Sequence, residues 1–209
     1  MKIAVVGANG KAGQWIVNEA LERGVEVTAV MRRELPSLAQ HVLIKDLFAL
    51  TRADLAGFDV VIDAFGTWAP ESLSTHTTSL MHLCDCLSGT ATRLLVVGGA
   101  GSLYLDEEHS LQLMDVPDFP ESYKPIAQAM GNALTALRQR DDVDWTYVSP
   151  AADFQADGKR TGQYQLCGER FTLNAQGQSV ISYADYAIAM LDEALHGNHR
   201  HERISVLSK

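Results

Sequence analysis

The feature that most constrains this chain is Gly7-Ala8-Asn9-Gly10-Lys11-Ala12-Gly13, a G-x-x-G-x-x-G that follows the apolar run Ile3 to Val6 and opens a segment of helical period. In that segment Ala12, Ile16 and Ala20, with Val17 and Leu21, recur at helical spacing, and Gly24 stands where a left-handed C-terminal cap is wanted. A second apolar run, Val25 to Val30, completes strand, turn, helix, strand. In that context each glycine has a distinct use. Gly7 turns the chain sharply, Gly10 admits backbone N–H groups to a diphosphate, and Gly13 lets the helix lie close on the strand. The helix N-terminus adds unpaired donors and positive partial charge. The segment Gly7 to Gly13 thus reads as a dinucleotide-binding turn, against the alternative of a glycine turn that serves packing alone.

The alternation continues along the chain. Val42 to Ile44, Val60 to Ala64, Leu94 to Val97, Trp145 to Val148 and Ile204 to Leu207 read as strands, too short and too β-branched or aliphatic for helices. Helices are predicted over Thr75 to Leu87, Ile126 to Arg140 after Pro125, and Tyr183 to Leu195. The last starts at Ser182-Tyr183-Ala184-Asp185, a capping box with Asp in place of Glu. The expected fold is α/β, a Rossmann-type doubly wound parallel sheet with helices on both faces. With no repeat or linker in its 209 residues, the chain reads as a single domain. The stretch 151–177 breaks the alternation with turn chemistry at Asp157-Gly158, Thr161-Gly162 and Gly168. Tyr164 to Leu166 and Phe171 to Leu173 there could pair as a hairpin, forming a small lobe on the substrate side of the crevice.

The residues after each strand carry the finer expectations. An NAD-selective turn would place an acidic residue about 20 positions beyond the glycines. Here the second strand runs into Arg32-Arg33, whose guanidinium groups suit a 2′-phosphate, so NADP(H) is favoured with NAD(H) still possible. Glu34 works against that reading, and a solvated surface turn is the alternative. Asp46 either accepts from an adenine amino group or begins the next loop. Asp63, inside an apolar run, is expected to cap backbone at the strand end, with a perturbed pKa if buried.

Charge and composition exclude other classes. A formal net charge of −9 argues against a nucleic-acid binder, and 46% hydrophobic with 21% charged residues matches an ordinary soluble domain. The run from Met1 straight into a strand leaves no room for a secretion signal, and three cysteines without scaffold spacing suit a reducing, cytoplasmic compartment. Cys84 and Cys86 cannot share a helix face, and His196, His199 and His201 fall in a solvated turn, so no metal is expected. No membrane partner is expected, and the chain is read as a monomer or homodimer.

Together Gly7 to Gly13, Arg32-Arg33, Ala64-Phe65-Gly66, Val96-Val97-Gly98-Gly99-Ala100-Gly101-Ser102, Ser149-Pro150-Ala151 and Ser182 to Asp185 make the chain resemble a known family. It resembles the atypical short-chain dehydrogenase/reductases, in particular their NADH-flavin reductase and biliverdin-reductase-B-like group. The resemblance implies that Ala64, Phe65, Gly66, Val97, Gly98 and Gly99 line the cofactor, with Ser149, Pro150, Ala151 and Ala152 near the nicotinamide. It also implies a planar acceptor stacked over the nicotinamide, for which Phe154 and Tyr123 are candidate aromatic walls. The wider superfamily carries a Tyr-x-x-x-Lys pair after the fifth strand, and this chain lacks it: Tyr123 is followed four residues later by Ala127.

A carbonyl reduced to an alcohol needs a placed acid worth roughly 10²–10⁴ in rate, whereas a flavin or quinone delocalises the charge that arrives. The expected activity is therefore hydride transfer from NAD(P)H to a flavin, quinone or similar planar small molecule, the flavin being substrate rather than tightly bound cofactor. Ser102 and Tyr123 are the candidate proton donors. The alternative is a non-catalytic NADP(H)-binding redox sensor; an epimerase or dehydratase is disfavoured by the missing pair and the short lobe.

Overall fold

The computed structural model describes residues 1–209. Its strands are β1 (Lys2–Val6), β2 (Glu26–Met31), β3 (His41–Ile44), β4 (Val60–Asp63), β5 (Arg93–Val97), β6 (Trp145–Ser149), β7 (Asp153–Gln155), β8 (Gln165–Cys167), β9 (Val180–Ser182) and β10 (Glu202–Leu207). The helices are α1 (Lys11–Glu22), α2 (Arg52–Leu55), α3 (Thr75–Leu87), α4 (Lys124–Leu137) and α5 (Tyr183–His196). Eight strands form one sheet in the order β3-β2-β1-β4-β5-β6-β10-β8, parallel throughout except for β8, which runs antiparallel to β10. This is the doubly wound α/β sheet that the sequence predicts, with an eighth strand added at one edge.

Parallel strands covered on both faces must be apolar on both, and the strand sequences show why helices settle on either side. Ile3, Val5, Val27, Ile62 and Val206 face α1 and α5, packing against Ile16, Val17, Tyr186 and Met190. Ala4, Val6, Val61, Leu94 and Val96 point the other way, onto Leu80, Leu83 and Leu134 of α3 and α4. Each of the valines, leucines and isoleucines among them contributes about 1.5–3 kcal/mol when fully buried. Gly24 takes φ +69 just past α1, where a Cβ would strain the turn.

Two local expectations are corrected. Tyr164 to Leu166 and Phe171 to Leu173 do not form a hairpin. Cys167, Leu166 and Gln165 pair instead with Ser205, Val206 and Leu207 of β10, while the Phe171 N–H donates to the Tyr104 carbonyl at 2.8 Å. The free edge of β10 is the stronger partner because it extends a sheet already covered by apolar side chains. At α5 only half of the capping box forms: Ser182 Oγ accepts from the Asp185 N–H at 3.0 Å. The Asp185 carboxylate turns away to accept from the Thr161 N–H, the Thr161 hydroxyl and the Gly162 N–H, all within 3.1 Å. That carboxylate fastens the 151–177 lobe to the helix, and Arg160 on Glu19 at 2.8 Å adds a second tie.

Candidate functional site

Sheet order reverses between β1 and β4, so a crevice opens beyond their carboxyl ends. The glycine turn sits there. Gly7 holds φ +76 and its N–H donates to the Val30 carbonyl at 3.1 Å, so the turn is tied to the end of β2. A Cβ at Gly7 would lie 2.9 Å from the Ala64 oxygen, and one at Gly13 would run into the Gly7 carbonyl and come 2.8 Å from the Ala8 Cα. The fold itself therefore demands these two glycines. Gly10 differs: its φ is −70, ordinary for any residue, and the nearest atom to a Cβ there is the Gly7 oxygen at 3.3 Å.

No side chain caps α1 at Gly10, and its first turn carries no acidic residue. The first N–H groups of that helix remain available to an anion, with the exposed Lys11 beside them and Ala8, Asn9 and Ala12 completing the turn. This arrangement fits a diphosphate. Arg32 and Arg33 follow β2 immediately, are exposed and enter no ion pair, so both guanidinium groups are free beside the turn. Asp46 caps the short turn Leu47–Ala49, its Oδ1 accepting from the Phe48 N–H at 2.9 Å. That is the structural half of its two alternatives; its second oxygen carries no protein partner.

On the other flank, the Ala64 N–H donates to the Val6 carbonyl at 2.9 Å and the Phe65 N–H donates to Asp63 Oδ1 at 3.0 Å. Ala64, Phe65 and Gly66 are thereby pinned against the glycine turn. Asp63 is only 5% exposed, and burial pushes its carboxyl up to about 7, opposed in part by that hydrogen bond. Beyond β5, Val97 leads into Gly98 and Gly99, where the Gly99 N–H donates to the buried Tyr147 hydroxyl at 3.2 Å. Ser149 donates to the Gly99 carbonyl at 2.8 Å, joining the loops after β5 and β6. Pro150 and Ala151 are buried behind it, and the Ala152 N–H donates to Ser179 Oγ at 3.0 Å. Phe154 packs 4.0 Å from the Tyr183 ring and 4.8 Å from the Tyr186 ring, centroid to centroid, so its ring belongs to a half-buried aromatic cluster.

The two candidate proton donors part company. Ser102 is 5% exposed and its hydroxyl accepts from Arg203 Nη1 at 2.8 Å. Arg203 is itself buried, stacked 5.5 Å over the Tyr104 ring and paired with Glu169. The Ser102 hydroxyl oxygen is thus engaged by an internal guanidinium, an arrangement set by a residue 101 positions away, and its own proton is not used in that contact. Tyr123 is 50% exposed at the start of α4, and beside it stands Trp68, 67% exposed, with ring centroids 5.8 Å apart at 71°. Sequence reasoning missed Trp68; its signal was an indole two residues past the Ala64-Phe65-Gly66 loop. No group of three or more His, Cys, Asp or Glu side chains is positioned to hold a metal ion.

A family model described as NAD(P)H-binding matches residues 7–194. The protein YwnB of Bacillus subtilis (strain 168) is 49% identical over 212 residues, spanning 100% of this chain and 99% of its own. A crystal structure of a candidate NADH-flavin reductase from Streptococcus pneumoniae TIGR4 superposes with a TM-score of 0.98 at 54% identity, covering 100% of both chains. A candidate exported protein from Burkholderia pseudomallei superposes at 0.89 with 37% identity, over 99% of each chain. No helix of this chain is long and apolar enough to cross a membrane.

Proposed function

The chain belongs to the NAD(P)H-binding family, and from that premise we propose that it is an NAD(P)H-dependent reductase passing hydride to a flavin, quinone or similar planar conjugated acceptor. The observation that carries the choice of acceptor is the missing Tyr-x-x-x-Lys pair beyond β5, where Ala127 stands four residues after Tyr123. Gly98 and Gly99 offer no side-chain hydroxyl at the end of that strand, and the Ser102 hydroxyl accepts from the buried Arg203. A ring acceptor tolerates that, because its conjugation spreads the incoming charge and solvent can deliver the proton. The 54% identical Streptococcus pneumoniae protein, named for NADH-flavin reduction, supports the same class.

Bound across the carboxyl edge, a reduced nicotinamide dinucleotide supplies one hydride, which the acceptor takes up together with one proton. The protein's share is binding and orientation. Gly7 to Gly13 and the bare start of α1 hold the diphosphate; Arg32 and Arg33 hold a 2′-phosphate, which makes NADPH the preferred donor. The free oxygen of Asp46 accepts from the adenine amino group. Ala64 to Gly66 and Val97 to Gly99 flank the nicotinamide riboside, and Ser149 to Ala152 close it from the β6 side, with Phe154 behind them. Tyr123 is the hydroxyl that a bound acceptor can reach. The flavin enters as a substrate, the residues 1–209 act as one NAD(P)-binding unit, and the protein works in the cytoplasm as a monomer or homodimer.

The sensor reading has one observation in its favour: β8 lies at the sheet edge and exposes Leu166, with Leu173 exposed nearby, so part of the lobe presents surface instead of covering the crevice. Steady-state oxidation of NADPH and NADH against FMN, FAD, riboflavin and small quinones decides between them. Turnover with NADPH preferred supports the reductase. Binding of NADPH by calorimetry without turnover of any acceptor replaces it with the sensor.

A further inference from the structure

Trp68 and Tyr123 follow β4 and β5, neighbouring strands whose loops form adjacent parts of the crevice rim. The backbone that carries Trp68 is fixed. The Thr67 carbonyl is held by His76 Nε2 at 3.0 Å, its hydroxyl shares a hydrogen bond with Ser72 Oγ at 2.7 Å, and Pro70 starts the short helical turn Pro70–Ser72. His76 is itself buried, edge-on to Phe65 at 5.6 Å, so the anchor reaches back to the Ala64-Phe65-Gly66 loop. Tyr123 is placed by its own N–H, which donates to the Pro120 carbonyl at 2.9 Å ahead of α4. Two aromatic rings thus meet edge to face on loops anchored by neighbouring hydrogen bonds, while most of Trp68 stays in water.

Wet aromatic faces on fixed backbone suit a planar guest, since little side-chain or loop freedom is lost when they close on it. The chemistry of the guest follows from the ring. An indole is electron-rich, and the oxidised form of a flavin or quinone is electron-poor, so the two stack favourably; the reduced form is electron-rich and is held less well. We propose that Trp68, supported edge-on by Tyr123, is the outer stacking wall of the acceptor site, gripping an oxidised planar ring against the nicotinamide side of the crevice. This rests on the reductase reading above. It adds a residue that selects flat, conjugated acceptors and releases them once reduced.

The test uses the full-length protein and its variants Trp68→Ala and Trp68→Phe. With riboflavin as acceptor, Trp68→Ala should raise KM on the order of tenfold, as expected for loss of one aromatic stacking partner. Trp68→Phe should recover most of it, and the KM for NADPH should not move in either. Binding is read separately by riboflavin quenching of tryptophan fluorescence in the NADP⁺-loaded protein. The chain has three tryptophans, with Trp145 buried and Trp15 on α1, so loss of quenching in Trp68→Phe identifies the indole at the rim. Wild-type turnover with unchanged riboflavin KM and quenching in both variants overturns this inference and leaves the reductase standing. A wild type that neither oxidises NADPH with any of the flavins or small quinones nor binds riboflavin overturns both.

Discussion

The ring of Tyr147, on β6, fills the space that a side chain at Gly98 would need: a Cβ there would collide with the ring edge, 2.7 Å from Cδ1 and 2.8 Å from Cζ. The Tyr147 hydroxyl accepts from the Gly99 N–H at 3.2 Å and donates to the Met130 carbonyl at 3.4 Å, and burial pushes its pKa up to about 12. A neutral phenol is built into the floor of the loop after β5. The bare backbone at this point is a packing requirement.

Placing a side chain there as Gly98→Ser should destabilise the protein by about 1–3 kcal/mol or more through overpacking against the ring. Tyr147→Leu in the same chain should recover part of the loss, so the double variant falls short of the summed single effects. Urea unfolding of the four proteins measures this; strict additivity would contradict the contact.

Gly10→Val and Gly13→Ala should fail in different ways. The backbone at Gly10 suits any residue, and its nearest neighbour to a Cβ is 3.3 Å away, so Gly10→Val should fold and lose NADPH binding. Gly13→Ala drives a methyl into the Gly7 carbonyl and should lower the melting temperature markedly. Calorimetric titration paired with thermal unfolding separates the two, and undiminished NADPH affinity in Gly10→Val would remove the diphosphate from this turn.

Arg32 and Arg33 have no acidic partner to lose, so replacing both with Ser should leave stability within about 0.5 kcal/mol. NADPH affinity should fall roughly 10- to 100-fold, the worth of a charge-assisted phosphate contact, while NADH affinity hardly changes. Equal losses for both dinucleotides would show that the pair does not read the phosphate.

Asp63 makes stability depend on pH. An ordinary aspartate titrates near 3.8, and burial raises this one to about 7; it faces a small internal cavity with His76, Val96, Met130 and Tyr147. The folded chain keeps a proton that the unfolded chain releases. The contribution is therefore fully present below about pH 4 and is lost progressively up to about pH 7, above which it levels off. Asp63→Asn is neutral throughout, so its stability relative to wild type should rise across that window, with a ceiling of about 4 kcal/mol. A difference that is flat from about pH 4 to pH 8 in urea unfolding would contradict the buried, protonated carboxyl.

The sheet and its main helices were legible in the sequence because their signals are local: aliphatic strand runs, one apolar face per helix, and Gly24 at a cap. The glycine turn was legible for the same reason, its residues being contiguous and lodged between strand and helix. What failed depended on distant partners. The hairpin expected in 151–177 rested on local turn chemistry, which carries no information about the open edge of β10, some 35 residues on, that took Gln165–Cys167 instead. Nothing near Ser102 in sequence shows that Arg203 reaches its hydroxyl oxygen. Asp185 matched a capping pattern, yet its carboxylate serves Thr161 and Gly162, which precede it by more than 20 residues. Trp68 carried no motif, and only the fold brings it beside Tyr123.

Direct hydride passage to a flat acceptor is the claim on which the account stands, and 5-deazariboflavin tests it most directly, since its reduced form keeps the transferred hydrogen on carbon. The protein would be given NADPH deuterated at C4 on either face and the reduced deazaflavin analysed by mass spectrometry. The account predicts deuterium in the product from one of the two labelled donors, and its loss when Gly10 is replaced by Val. NADPH oxidation without label in the product, or no oxidation by a protein that binds NADPH, would contradict it.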